Sequence, residues 1–324
     1  MASPNISELL TTAIESRTNE LANNVLGGNA LLARLKEKGK VKPYGGGTSI
    51  YQELTYAENS TFMYYDGLEV LNVGASDVIT AAEYNHKQAA VAVVISGKEE
   101  RINSGKERTI DLIEARTDNA KDTMMNNISS GVYSDGTGSG GKQIGGLQYL
   151  VADAPTSGTV GGINRATYSF WQNVMFDATT TGGAAATAAN INSYMNRVWV
   201  QVVRGADRPD LIIADNNYFR LYLESLQAIQ RFGPESKMAQ LGFTTLKYMD
   251  ADVVLDGGFS GDAPSNHMYF LNTKYIFYRP HRDCNMVALA PDRFAVNQDA
   301  HVRLIGWMGN MTMSNASLQA VLKD

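Results

Sequence analysis

The run Gly136-Thr-Gly-Ser-Gly-Gly-Lys142 spells G-x-x-x-x-G-K, the spacing with which backbone amides cradle nucleotide phosphates while a lysine reaches the terminal ones. That chemistry also needs a Ser or Thr after the lysine to hold Mg²⁺, and a strand leading into the loop. Gln143 follows Lys142 here, and the run emerges from a long helical pattern, so it reads as a flexible loop. Asp250, Asp252 and Asp256-Gly257 hint at calcium but miss the D-x-[DN]-x-[DN]-G spacing, and read as strand-end carboxylates in solvent. His86, His267, His281 and His301 are scattered without a His-x₃-His or Cys/His cluster of the kind zinc requires. His281, Asp283 and Cys284 lie close in sequence, yet a nucleophile and its base must be oriented by the fold, and sequence neighbours rarely point the right way. There is no G-x-S-x-G elbow. The expectation is therefore no catalytic residue, no metal and no cofactor.

The balance of the chain narrows the classes further. Hydrophobic residues make up 44% of the 324 and charged residues 19%, which excludes a wholly disordered chain and leaves enough apolar material for a large core. With 28 Lys and Arg against 33 Asp and Glu, the net charge of −5 argues against a dedicated nucleic-acid binder, though not against a weakly charged surface facing packaged nucleic acid. Cys284 is the only cysteine, so no disulfide can form within the chain. The longest aliphatic stretch, Ala89 to Ile95, is far short of a membrane span, and the opening MASPNISELL lacks the basic and apolar regions of a signal peptide. A soluble protein made in a reducing cytoplasm is expected.

The elements follow from periodicity. Residues 3–35 read as a helical arm: Ser3 can cap, Pro4 suits the first turn, and Ile6, Leu10, Ile14, Leu21 and Val25 form a stripe before a glycine linker at 39–47. Residues 48–73 read as a long hairpin. Its first strand carries Ile50, Leu54 and Tyr56, its second Phe62, Tyr64, Leu68 and Val70, with a turn at Ala57-Glu-Asn-Ser60. An isolated two-stranded hairpin is marginal in water, so Tyr51, Tyr56, Phe62, Tyr64 and Tyr65 need a surface to bury against, in this chain or in another subunit. Residues 83–96 are extended. A helix over 104–130 carries Ile110, Ile113, Thr117, Ala120, Met124 and Ile128 on one face. It would run on the order of 40 Å, against a radius of gyration of about 20 Å for a compact chain of this length; a flat or elongated molecule follows. Beyond 146 come a helix with Ile191, Tyr194, Met195, Val198 and Val202, a strand at Asp210–Ala214, and a helix capped by Asp215 bearing Tyr218, Leu221, Tyr222, Ile229 and Phe232. Strand-rich stretches follow at 243–256, 267–278 and 300–313. Helices and strands mix without a βαβ rhythm, so the fold class is α+β.

This order of segments, together with the phrases NSGKERTIDLIEARTDNAKDTMMNNISSGVYSDGTG, PDLIIADNNYFRLYLES and AVNQDAHVRLIGWMGNMTMSN, resembles the major capsid proteins of tailed bacteriophages of the Hong Kong 97 type. The resemblance covers most of the chain and rests on the order of the phrases. It implies an N-terminal arm at 1–47, an extended β-hairpin loop at 48–80 and a peripheral domain with a spine helix at 81–145. An axial domain would occupy most of 146–289, and a strand-rich segment at 290–324 would complete both. It further implies self-association into pentamers and hexamers of an icosahedral virion shell. A separate scaffolding protein is implied because no long extra region precedes the arm, and with it come a portal, a possible decoration or cement protein, and double-stranded DNA packaged without sequence-specific contacts. Candidate intersubunit contacts are Tyr51, Tyr56, Phe62, Tyr64, Tyr65, Ile6, Leu10 and Ile14. A cargo-enclosing encapsulin-type shell and an unrelated α+β enzyme are the alternatives.

Overall fold

A computed structural model describes residues 29–102, 106–226, 245–256, 263–294 and 299–324. Ile6, Leu10 and Ile14, with the rest of the arm stripe, lie outside the described residues, as do Ile229 and Phe232.

The first described helix, α1 (Ala30–Glu37), starts where the Asn29 side chain accepts from the amides of Leu31 and Leu32 at 3.0 and 3.2 Å, satisfying two orphan donors of the first turn. Its buried Leu31, Leu32 and Leu35 dock it on the core. Next come β1 (Ile50–Thr55), β2 (Ile79–Tyr84) and β3 (Lys87–Ser96). A short α2 (Gly97–Ile102) and the long α3 (Lys106–Tyr133) follow. On α3, Thr117, Ala120, Met124, Ile128 and Val132 are all buried, the three- and four-residue steps of one helical face. The helix runs three residues beyond the expected end and stops ahead of Gly136, whose φ of +77° suits glycine.

A small hairpin, β4 (Thr159–Val160) and β5 (Ile163–Asn164), leads to β6 (Val174–Asp177), α4 (Ile191–Val202), β7 (Leu211–Ala214) and α5 (Asn216–Leu226). Asp215 caps α5 as expected, its Oδ1 accepting from the Tyr218 amide at 2.9 Å. The remainder is β8 (Thr245–Tyr248), β9 (Ala251–Leu255), β10 (His267–Leu271), β11 (Ile276–Phe294), β12 (Ala300–Met313) and β13 (Ala320–Lys323).

Two sheets organise these elements. A six-stranded mixed sheet runs β6-β13-β10-β7-β9-β8, with β6/β13 and β7/β9 parallel. Both of its faces are covered. Leu211, Ile213, Tyr269 and Val321 enter one apolar cluster, while the alternating Ile212, Ala214, Phe270 and Leu322 enter a second with α4 and α5. The other sheet, β11-β12-β3, is antiparallel, and α3 packs against it. The fold is α+β, as read from the sequence.

The hairpin differs from its expectation. Tyr56 donates the last rung to Val78, and the partner of β1 is 79–84, pairing Ile50 with Tyr84 through to Thr55 with Ile79. Residues 62–70 form no strand. Their alternation is real but is interrupted at Asp66-Gly67, where Gly67 takes φ +56°, and among the described residues nothing lies opposite to bury one face. On β2, by contrast, Ala82 and Tyr84 are buried alongside Ile50 and Leu54. Burial of one face sets the register, and only 79–84 has a face to bury.

Candidate assembly surface

The base of the loop is firmly anchored. The Tyr84 hydroxyl donates to the Met313 carbonyl at 3.3 Å, and Thr312 Oγ1 donates to Gln52 at 3.2 Å, tying the β1–β2 ribbon to β12. The Glu83 amide donates to Gly161 at 2.8 Å. A Cβ at Gly161, which holds φ +58°, would sit 2.8 Å from the Ala82 Cβ, so this close approach requires glycine. Tyr56 packs on Phe170 with ring centroids 5.6 Å apart, at the rim of a groove of about 400 Å³ between the ribbon and residues 161–170.

Beyond that base the chain from 57 to 78 makes few contacts. Asn59 accepts from Thr61, Asn72 accepts from Gly74, and Ser60 meets Ser76 across the loop, all of them links within the loop itself. Tyr51 is 56% exposed, Phe62 74%, Tyr64 90% and Tyr65 62%, and Leu68, Val70 and Val73 are over 90% exposed. Of the fourteen exposed large hydrophobic residues among those described, ten fall between Tyr51 and Ile79. A protein does not ordinarily display so much contiguous apolar side chain unless another surface covers it. Four of the five aromatic candidates therefore share one exposed ribbon and loop, whereas Tyr56 is half-buried against its own chain. The loop carries Glu58, Asp66, Glu69 and Asp77 and no lysine or arginine, so the covering surface meets apolar groups in an acidic setting.

The chemistry-bearing residues resolve into structural roles. Lys142 follows a turn in which Ser139 and Gly140 are left-handed, and the Gln143 amide donates to Gly138; no strand leads into the turn. His86 Nδ1 pairs with the Tyr44 hydroxyl at 2.8 Å and its Nε2 with the Gly47 carbonyl at 2.9 Å, which fixes the linker. His281 accepts the Asp283 amide at 3.1 Å. Burial pushes the Cys284 thiol above its ordinary pKa, which works against a thiolate nucleophile. His267 pairs with Asp153 at 3.0 Å. Asp252 is not a solvent carboxylate: it is buried beside Arg34 and Lys247. The solvent reading failed there because no local signal in ADVVL shows a cation arriving from residue 34. Among the described residues no group of three His, Cys, Asp or Glu could hold a metal ion.

Comparison with solved structures gives this architecture a place. The capsid of cyanophage A-1(L) matches over 88% of this chain and 90% of its own, with 16% identity and a TM-score of 0.64. The fold is the Hong Kong 97 type. The capsid of a native GTA particle matches over 88% of both chains at 10% identity and a TM-score of 0.59, and the capsid of Myoviridae phage XM1 over 89% and 91% at 11% and 0.51. No family model matches the sequence, and no curated protein does.

Proposed function

We propose that the chain is the major subunit of an icosahedral phage head, assembling with copies of itself as pentamers and hexamers. One observation supports this reading above the rest: the anchored ribbon that carries ten exposed large hydrophobic residues into solvent. Such a surface suits an obligate interface, which is large and apolar, and among the described residues nothing covers it. The subunit works by geometry and needs no catalytic centre. Residues 1–47 act as an arm, 48–80 as the extended loop, 81–145 as the peripheral domain and most of 146–289 as the axial domain, with 290–324 completing both. Tyr51, Phe62, Tyr64 and Tyr65, with Ile6, Leu10 and Ile14 of the arm, form the intersubunit contacts. Assembly takes place in the host cytoplasm with a separate scaffolding protein and a portal, and the product is a virion shell around double-stranded DNA, with or without a cement protein.

Negative-stain microscopy and light scattering of the chain coexpressed with its scaffold test the proposal. Rings or closed shells are expected. A stable monomer at every concentration would overturn the reading, and shells holding copurified enzyme in place of nucleic acid would move it to a cargo-enclosing compartment.

A further inference from the structure

The linker between α1 and β1 runs alongside β11 and is bonded to it through two isolated parallel bridges. The Lys42 amide donates to Tyr278 at 2.9 Å, the Tyr278 amide to Lys40 at 3.2 Å, and the Tyr44 amide to Pro280 at 3.1 Å. Val41 and Tyr44 stand in parallel bridges with Tyr278 and His281, so this segment extends the three-stranded sheet along the β11 edge. Alternate residues of a strand share a face. Val41 packs into the core beside Tyr278, and Lys40 and Lys42 turn the other way, over the face that carries Phe277 and Arg279. Their ammonium groups lie 5.0 and 5.8 Å from the Phe277 ring centre.

These cations lack balancing carboxylates. Asp210 is engaged by Arg34 and Lys38, and Asp207 by Lys274 and the Tyr275 hydroxyl. Among the described residues, no carboxylate lies within ion-pair distance of Lys40, Lys42 or Arg279. Across β11 the next strand places the uncharged Asn310 and Thr312 opposite Arg279 and Phe277. Burial, then the charges of Lys42 and Lys274, hold the Lys40 ammonium below the usual lysine range; repulsion of that kind is relieved when an anion arrives. Arg279 Nε is buried without a partner.

We propose that Lys40 and Lys42 over Phe277, with Arg279 two residues along the same face of β11, form a binding site for the phosphodiester backbone of nucleic acid. Backbone bonds hold the two lysines in register, about 6.6 Å apart along the strand, so little ordering is needed to meet successive phosphates. The other polyanion in view is the acidic loop 56–78 of a second copy. That loop needs apolar cover, and the strip has little to give: Phe277 is only 9% exposed. A phosphate chain needs only the charge. The proposal rests on the shell reading solely for which nucleic acid the strip would meet.

The test is fluorescence anisotropy of the purified full-length chain with a labelled 20-base-pair duplex of arbitrary sequence across a salt series, while light scattering records the assembly state. Each phosphate contact contributes about 0.9 to the slope of log K against log salt, so Lys40→Gln with Lys42→Gln should reduce that slope by roughly 1.8. Lys40→Arg with Lys42→Arg should keep it, as should Lys98→Gln on an exposed site elsewhere. Matching circular dichroism melts would show that the variants fold. An unchanged slope in the double Gln variant overturns the proposal. So does a synthetic peptide of residues 56–78 that displaces the duplex and loses its own binding in the same variant, because the strip would then seat a second copy. Binding by a chain that never assembles would leave the strip standing and the shell reading refuted; assembly without binding would do the reverse.

Discussion

Arg34 on α1 meets Asp210 at the entry to β7, its Nε 3.2 Å from the carboxylate and its other nitrogens turned to the Asp210 carbonyl and to Glu37. The arginine is buried, and Asp252 of β9 lies 3.8 Å away. One side chain thus joins α1 to the centre of the six-stranded sheet. Removing it takes the shared cation from Asp210, Glu37 and the buried Asp252, so that the cations left are the distant Lys38 at 3.9 Å for Asp210 and Lys247 at 2.9 Å for Asp252. Loss of one partner of such a buried pair costs about 3–5 kcal/mol. Because Asp210 and Glu37 are partly solvated, Arg34→Met should fall near the low end, about 3 kcal/mol, measured by denaturant unfolding. Lys38→Met removes a half-exposed amine 3.9 Å from Asp210 and should cost under about 1 kcal/mol. Equal effects would mean that Arg34 contributes only packing.

The loop aromatics should behave in the opposite way. Phe62 and Tyr64 touch each other, with ring centroids 5.2 Å apart, and little else. Phe62→Ser with Tyr64→Ser should leave the subunit's thermal midpoint within about a degree or two, since exposed substitutions stay within roughly 0.5 kcal/mol. The same pair should abolish or sharply slow shell formation, scored by light scattering. Phe270→Ala, in the core, should instead cost about 3–5 kcal/mol and lower the midpoint directly. A loop variant that loses fold and assembly together would return these rings to an ordinary core.

What could be read before the structure divides along a physical line. The face of α3 at Thr117, Ala120, Met124 and Ile128 was legible because burial on one side of a helix imprints its period on the sequence. The Asp215 cap was legible because capping is local. The return strand of the hairpin was misplaced because 62–70 and 79–84 both have strand-like composition, and only the tertiary core chooses between them. β13 falls inside the stretch 290–324 expected to be strand-rich, but leaves no periodic signal of its own, because Ala320–Lys323 is four residues long and its partners in β6 and β10 lie far away in sequence. The cation strip at Lys40 and Lys42 leaves no local signal for the same reason, since a linker that reads as glycine-rich is held extended only by its bonds to residues 278–281.

His267 provides a pH signature. Burial disfavours its charged form, but hydrogen bonds to Asp153 and to the Ser265 carbonyl, with the Asp153 charge, outweigh that, and the folded-state pKa lies above the ordinary value of 6.5. A raised pKa means the folded state binds the proton more tightly than the unfolded chain. This contribution to stability is therefore fully present below about pH 6.5 and is lost as pH climbs through the folded-state value. Unfolding free energy measured from pH 5.5 to 8.5 should decline over that window in the parent, and His267→Gln should flatten the decline. An identical slope in both would show that the pair titrates no differently in the unfolded chain.

Mature particles should be held without covalent links between subunits. Some shells of this type, by resemblance, join a loop lysine to an asparagine of a neighbour as an isopeptide bond. Such a reaction needs a deprotonated amine on the loop, and an ordinary lysine near pKa 10.4 is mostly protonated unless burial and a carboxylate assist. Here there is no lysine between Lys42 and Lys87, so the loop from 56 to 78 lacks the nucleophile altogether. Lys42 is committed to the edge of β11, and Lys87 donates to the Gly141 carbonyl at the start of β3; neither stands on the loop. The single cysteine, Cys284, could join subunits only in pairs, and its raised thiol pKa slows even that at neutral pH. Cohesion must then come from the apolar loop, the arm and any cement protein. Boiling mature particles in denaturant with reductant should give one band near 35.2 kDa. A ladder at five and six times that mass would show a crosslink made by some other amine, and Lys87→Arg would be the first variant to ask whether it disappears.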